Sequence, residues 1–117
     1  MVSLNVIGAG RVGRTLARLW HDSQVFQVQG VCARDDARAQ DAVAFIGAGQ
    51  ARADITPLPA ADVWMVTTPD TVIADTANTL SSALREGDIM FHCSGTLPSG
   101  VLAAARERGA QIGRAHV

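Results

Sequence analysis

The sequence predicts an α/β domain: a doubly wound, mostly parallel sheet with helices on both faces. Three observations point there. An apolar run over residues 2–8 meets a cluster of glycines, and a helical pattern begins at once. Strand-like segments then alternate with amphipathic helical ones along the chain, the pattern of βαβ units with right-handed crossovers. The 117 residues, 48% hydrophobic and 18% charged, are enough for one core and too few for two, so residues 1–117 read as a single folded domain.

Taken in order, residues 2–8 are apolar apart from Ser3 and Asn5, as a central parallel strand should be. In the helix that follows, Val12, Leu16, Leu19 and Trp20 recur at helical spacing and are expected to face the core. Arg14 and Arg18 fall on another, solvated face. Residues 25–33 read as the second strand, with Val28, Val31 and Cys32 as its buried positions. Asp35 or Asp36 caps a helix through Ala39, Val43 and Ile46, which Gly47 or Gly49 ends. Residues 52–56 are expected to form a short edge strand, because Pro57 and Pro59 stop it. Residues 62–68 are an inner strand closed by Pro69. Asp70 then caps a helix carrying Ile73, Ala77, Leu80 and Leu84, ended at Gly87. Residues 88–92 make a further strand, a helix follows over 99–108, and residues 110–113 begin the last strand.

Gly8-Ala9-Gly10-Arg11-Val12-Gly13 has the spacing G-x-G-x-x-G, with a strand before it and a helix after it. Each glycine has a physical task if a dinucleotide sits here. Gly8 permits the tight turn, Gly10 the close approach of backbone to pyrophosphate, and Gly13 the close packing of helix on sheet. The pyrophosphate would lie on free N–H groups at the positive end of the helix. Arg11, a cation placed against that dipole, is offset if a phosphate is bound.

The end of the second strand, Ala33-Arg34-Asp35-Asp36, is where an acid holds the ribose 2′-hydroxyl of NAD in such domains. The strand tip carries Arg34 instead. A planar guanidinium suits the 2′-phosphate of NADP. Two alternatives stand beside this: Arg34 bonds helix-end acids such as Asp35, or Asp35 or Asp36 reaches the ribose and the cofactor is NAD.

Ligands of open parallel sheets bind beyond the carboxyl ends of the strands. Those ends are predicted at Gly8 to Arg11, Arg34, Thr67-Thr68-Pro69-Asp70 and His92-Cys93-Ser94-Gly95-Thr96. Thr68, before a proline, is held extended, so the backbone of Thr67, Thr68 and Pro69 can line ribose or nicotinamide; Thr67 bonding backbone alone is the other reading. His92 is the candidate for proton transfer, against a packed role. Ser94 and Gly95 can donate to a substrate carbonyl or carboxylate.

Composition closes other routes. All ten basic residues are arginine, which excludes lysine chemistry, and a net charge of −1 without a basic block argues against nucleic-acid or acidic-membrane partners. Cys32 and Cys93 lack clustered ligands for a metal and read as reduced thiols. The absence of a signal-like or membrane-spanning run leads to the expectation of a cytoplasmic setting.

The ordered set Ile7-Gly8-Ala9-Gly10-Arg11-Val12-Gly13, Ala33-Arg34, Thr68-Pro69-Asp70 and His92-Cys93-Ser94-Gly95 resembles the N-terminal Rossmann-like, NAD(P)-binding domain of oxidoreductases related to 6-phosphogluconate dehydrogenase. Deazaflavin-dependent NADP reductases and pyrroline-5-carboxylate reductases are relatives by fold. The resemblance implies that Gly8, Gly10 and Gly13 bind pyrophosphate, that Arg34 selects NADP, that Thr68 and Pro69 approach the nicotinamide, and that residues 92–95 face a small-molecule substrate. Members of the group continue into an all-helical substrate and dimerisation domain that these 117 residues do not hold. The chain is therefore expected to be a piece of such an enzyme or to work with a partner, with a homodimer as the expected assembly. Two functions follow: the cofactor domain of an NADP-dependent oxidoreductase acting by hydride transfer on a small carbonyl, imine or hydroxy compound, or a non-catalytic NAD(P)-sensing module.

Overall fold

The computed structural model describes residues 2–8, 10–52, 58–67, 76, 79, 84, 85, 87–92 and, for the backbone alone, 111–114. Among them run β1 (Val2–Ile7), α1 (Arg11–Asp22), β2 (Phe26–Cys32), α2 (Asp36–Ile46), β3 (Gln50–Arg52), β4 (Val63–Val66), β5 (Ile89–His92) and β6 (Gln111–Arg114). The six strands form one sheet in the order β3-β2-β1-β4-β5-β6. Every neighbouring pair is parallel. The order reverses between β1 and β4, so the carboxyl ends of these two central strands bound the crevice where such sheets take ligands.

The core lies where α1 and α2 pack together over the sheet. Leu4, Val6, Val28, Val31, Val63 and Met65 meet Ala17, Ala42 and Ile46 there, all buried. Trp20 fills the space beyond, its ring edge-on to Phe26 at 5.2 Å and to Phe91 at 6.1 Å. Ile7, Trp64, Val66, Met90 and His92 are equally buried and, by the alternation of strand side chains, face the other way.

Val28 and Val31 reach the same face although three apart, which alternation alone forbids. A register shift between Leu4 and Val6 explains it: Leu4 pairs with Val28 and Val6 with Val31. Asn5, fully buried, supports the irregular step. Its Oδ1 accepts from the Gly30 amide at 3.0 Å, and its Nδ2 donates to the Pro59 carbonyl at 2.8 Å. Buried polar groups need such partners, so the asparagine that interrupts an apolar strand is there to complete the backbone bonding of β2.

One expectation from periodicity needs correction. Val12 and Leu19 are exposed, while the covered face of α1 is Gly13, Leu16, Ala17 and Trp20. These four follow i, i+3, i+4, i+7, and Val12 and Leu19 lie about 90–110° from their centre; the sheet selects the small residues Gly13 and Ala17 because they allow close approach. Arg14 and Arg18 lie on the solvated side, Arg18 exposed and Arg14 partly so, and they also have a shared packing partner. Both guanidinium groups sit over the Phe45 ring of α2, at 5.1 and 5.2 Å, and Arg14 pairs with Asp41 at 3.4 Å.

The third strand begins earlier than expected. Gln50–Arg52 pairs with Gly30–Cys32, directly after Gly47 and Gly49 turn the chain with φ of +90° and +102°. Prolines mark where pairing must stop, but the free edge of β2 decides where it starts. It is an edge strand, as predicted. Asp35 is the cap of α2, accepting from the Arg38 amide at 2.8 Å, and Gly47 ends the helix. Thr76 and Thr79 are helical and Gly87 turns with φ +89°. Asp70, the rest of that helix and the helix expected over 99–108 lie outside the described residues.

A polar clamp closes the amino ends of β1, β4 and β5. The Asp62 carboxylate accepts from the Ser3 amide at 3.1 Å and the Ser3 hydroxyl at 3.0 Å, and faces Arg85 at 3.6 Å. The two Ser3 bonds, helped by Arg85 and opposed by desolvation, hold the Asp62 carboxyl below its ordinary 3.8. A depressed native pKa contributes stability above the unfolded value that is lost as pH falls through the native one. Asp62→Asn should therefore flatten the acid side of the stability profile, below about pH 4. Urea midpoints measured from pH 6 to pH 2 check this; identical slopes for both proteins would refute it.

Candidate functional site

The glycine loop leaves β1 at the centre of the carboxyl edge. The Gly8 amide donates to the Cys32 carbonyl at 2.7 Å, and the Thr67 amide donates to the Ile7 carbonyl at 2.7 Å. The loop is thus tied to β2 on one side and to the end of β4 on the other. Gly8 has φ +104°, and a Cβ there would lie 2.8 Å from the Thr67 carbonyl carbon. Only glycine takes that conformation without strain. A Cβ on Gly13 would lie 2.5 Å from Thr67 Oγ1 and 2.8 Å from its Cγ2. Gly13 is buried at the first turn of α1, so its missing side chain lets the helix approach the sheet, the task expected of it.

Gly10 differs. It has an ordinary φ of −68°, and among the described residues a Cβ there would meet nothing closer than the Thr67 carbonyl oxygen at 3.7 Å. Neither its conformation nor packing against the described residues requires glycine at this place. It is also the residue from which α1 starts, without a side-chain cap and without an acid in the first turn. By contrast α2 supplies both for itself, from Asp35 and Asp36. The first amides of α1 are thus left to be satisfied from outside the helix. Arg11 and Val12 are exposed beside them.

At the tip of β2, Ala33 is buried and Arg34 exposed. The alternatives to an outward-facing Arg34 are weakened by the neighbouring acids. Asp35 is taken by the α2 amide and by the Arg38 guanidinium at 3.3 Å, and Asp36 accepts from the Gln40 side chain at 2.8 Å. Among the described residues no ion pair is formed by Arg34.

Thr67 lies between β4 and the loop. Its hydroxyl stands 3.2 Å from both the Ile7 and the Gly8 carbonyl oxygens, so its side chain bonds backbone. His92, at the carboxyl end of β5, is fully buried. Ala9, Thr68, Pro69, Ser94 and Gly95 lie outside the described residues, as does Cys93; Cys32 is buried and reduced.

Among the described residues no cluster of three or more histidine, cysteine, aspartate or glutamate side chains is placed to hold a metal ion. No helix among them is long and apolar enough to cross a membrane.

A parallel sheet with a switch point, a glycine turn at that point and an uncapped helix behind it define a nucleotide-binding type of α/β domain. The chain belongs to the Rossmann-like domain family, whose model matches residues 1–115. No curated protein matches it. Among solved structures, one similar chain is a Bacteroides fragilis protein assigned as an NADP oxidoreductase, at 22% identity and a TM-score of 0.76, covering 86% of this chain and 38% of that one. An imine reductase variant from Myxococcus stipitatus, in complex with NAD+, matches at 24% identity and TM-score 0.75, over 96% of this chain and 39% of its own. Prephenate dehydrogenase from A. aeolicus, with NAD+ and hydroxyphenyl propionate, matches at 19% and 0.72, over 92% and 40%. The chain spans about two fifths of the length of these structures.

Proposed function

We propose that this domain binds NADP(H) and serves as the cofactor half of an oxidoreductase acting by hydride transfer on a small carbonyl, imine or hydroxy compound. The observation that carries the reading is Gly10: a glycine that packing against the described residues does not need, at the start of a helix with no side-chain cap. A pyrophosphate explains both, since it needs backbone within reach and supplies the acceptors that the helix lacks. Arg34 then meets the 2′-phosphate, because the acids beside it are already engaged. The nicotinamide cofactor would carry the hydride chemistry, and the protein's part is binding, orientation and exclusion of water. Oxidoreductases holding NAD+ on the same fold support the reading. The small-molecule substrate, the cytoplasmic setting and the homodimer implied by the family resemblance belong to this proposal too. So do cofactor contacts from Ala9, Thr68 and Pro69, and substrate contacts from Ser94 and Gly95.

The discriminating experiment titrates NADPH and NADH against the chain and against Arg34→Ala. A charge-assisted hydrogen bond is worth about 1.5–3 kcal/mol, and an exposed arginine stands at the low end. NADPH affinity should fall roughly tenfold and NADH affinity hardly change. Equal losses for both cofactors would remove the NADP assignment, and absence of binding by either would remove the dinucleotide reading.

A further inference from the structure

All three glycines of the loop have the same nearest neighbour among the described residues. A Cβ added to Gly8, Gly10 or Gly13 would meet Thr67 first among them, at 2.8, 3.7 and 2.5 Å. The same residue holds the loop by its hydroxyl, 3.2 Å from the Gly8 carbonyl, and by its amide on the Ile7 carbonyl. The hydroxyl stands at the same 3.2 Å from the Ile7 carbonyl. From these contacts we infer that Thr67 is a positioning residue: it sets the height and tilt of the glycine loop and of α1 over β4, and through them the affinity for the dinucleotide.

The side chain acts in two ways. Oγ1, Cγ2 and Cβ occupy the space that Gly13 vacates, at 2.5, 2.8 and 3.0 Å from the position of an added methyl, and so set how close α1 comes. The hydroxyl also lies 3.2 Å from both the Ile7 and the Gly8 carbonyl oxygens, where the turn begins. Serine keeps the second function and loses part of the first. Valine keeps the shape and loses the bond. Alanine in its place removes the bond and the two nearest atoms, Oγ1 and Cγ2, leaving Cβ at 3.0 Å from a side chain added at position 13. Thr67 acts through the loop and needs no contact with the cofactor.

This inference rests on the dinucleotide reading, and its test separates the two. NADPH dissociation constants and urea midpoints are measured for the unsubstituted chain, Thr67→Val, Thr67→Ser, Thr67→Ala, Gly13→Ala and the double variant Gly13→Ala/Thr67→Ala. Thr67→Val should weaken NADPH binding about fivefold, the worth of one hydrogen bond, and Thr67→Ser should stay closer to the unsubstituted chain. Gly13→Ala should lose at least about tenfold, and the double variant should bind more tightly than Gly13→Ala alone, a coupling that independent sites do not show. Equal losses from Gly13→Ala in the unsubstituted and the Thr67→Ala backgrounds, in affinity and in urea midpoint, overturn the assignment while leaving the dinucleotide reading intact. An unsubstituted chain that binds neither NADPH nor NADH overturns both.

Discussion

Gly8→Ala should cost the domain about 2–6 kcal/mol of stability. Two independent terms add. A side chain at φ +104° places the backbone in a region that costs about 1–3 kcal/mol for a residue other than glycine. The new methyl would also press on Thr67 backbone, with the carbonyl carbon at 2.8 Å and its oxygen at 2.9 Å, and overpacking of this kind costs about 1–3 kcal/mol. Backbone on an inner strand cannot swing aside as a flexible side chain does, so relaxation recovers little. For a domain with a total stability of about 5–15 kcal/mol, the variant is marginal. Urea denaturation followed by tryptophan fluorescence measures the loss, and Trp64 and Trp20 report from the core. A change below about 0.5 kcal/mol, the scale of a neutral surface substitution, would contradict the geometry.

Gly10→Ser should do the opposite to stability while abolishing function. Gly10 has extended N-cap geometry, φ −68° and ψ 166°, and among the described residues a Cβ there meets only the Thr67 carbonyl oxygen at 3.7 Å. A serine there can turn its hydroxyl onto the amides of the first turn, improving on glycine by a few tenths of a kcal/mol. Those same amides are the ones proposed for pyrophosphate, and the hydroxymethyl group occupies the ground the phosphate needs. NADPH affinity should fall by at least about tenfold, with the urea midpoint unchanged or raised. Calorimetric titration beside denaturation gives both numbers from one preparation. Retained affinity would show that the pyrophosphate does not lie on Gly10. Together the two substitutions divide the motif into a glycine that serves the fold and a glycine that serves the ligand.

Much of the architecture was legible in the chain itself. The alternation of apolar strands and capped helices predicted a parallel α/β sheet, and the strand–glycine–helix order located its switch point. Local signals did best: Asp35 as a cap and Gly47 as a stop are decided by neighbours within one turn. The errors came where a distant element chose between local options. Val12 and Leu19 are as hydrophobic as Leu16 and Trp20, and nothing within α1 says which stripe the sheet will cover. Gln50 extends β3 earlier than the prolines suggested because β2 offers its edge there.

The candidate site divides in the same way. Three glycines at fixed spacing, and an arginine where an acid is usual, are written along the chain and need only motif knowledge to find. The motif also assigns each glycine a task. The φ of Gly8 and the distances from Thr67 supply the physical reason for the turn and for the close packing at Gly13. Thr67 and Ile7 stand 60 residues apart in sequence and become neighbours because β1 and β4 pair in parallel at the centre of the sheet. By itself the sequence determined the periodicities, the turns and the chemistry available at each strand end, since these depend on short-range sterics and side-chain type. The tertiary structure decided which helix face is buried, which glycine is free to face a ligand and which residue supports the loop, since each of those depends on what the sheet brings alongside.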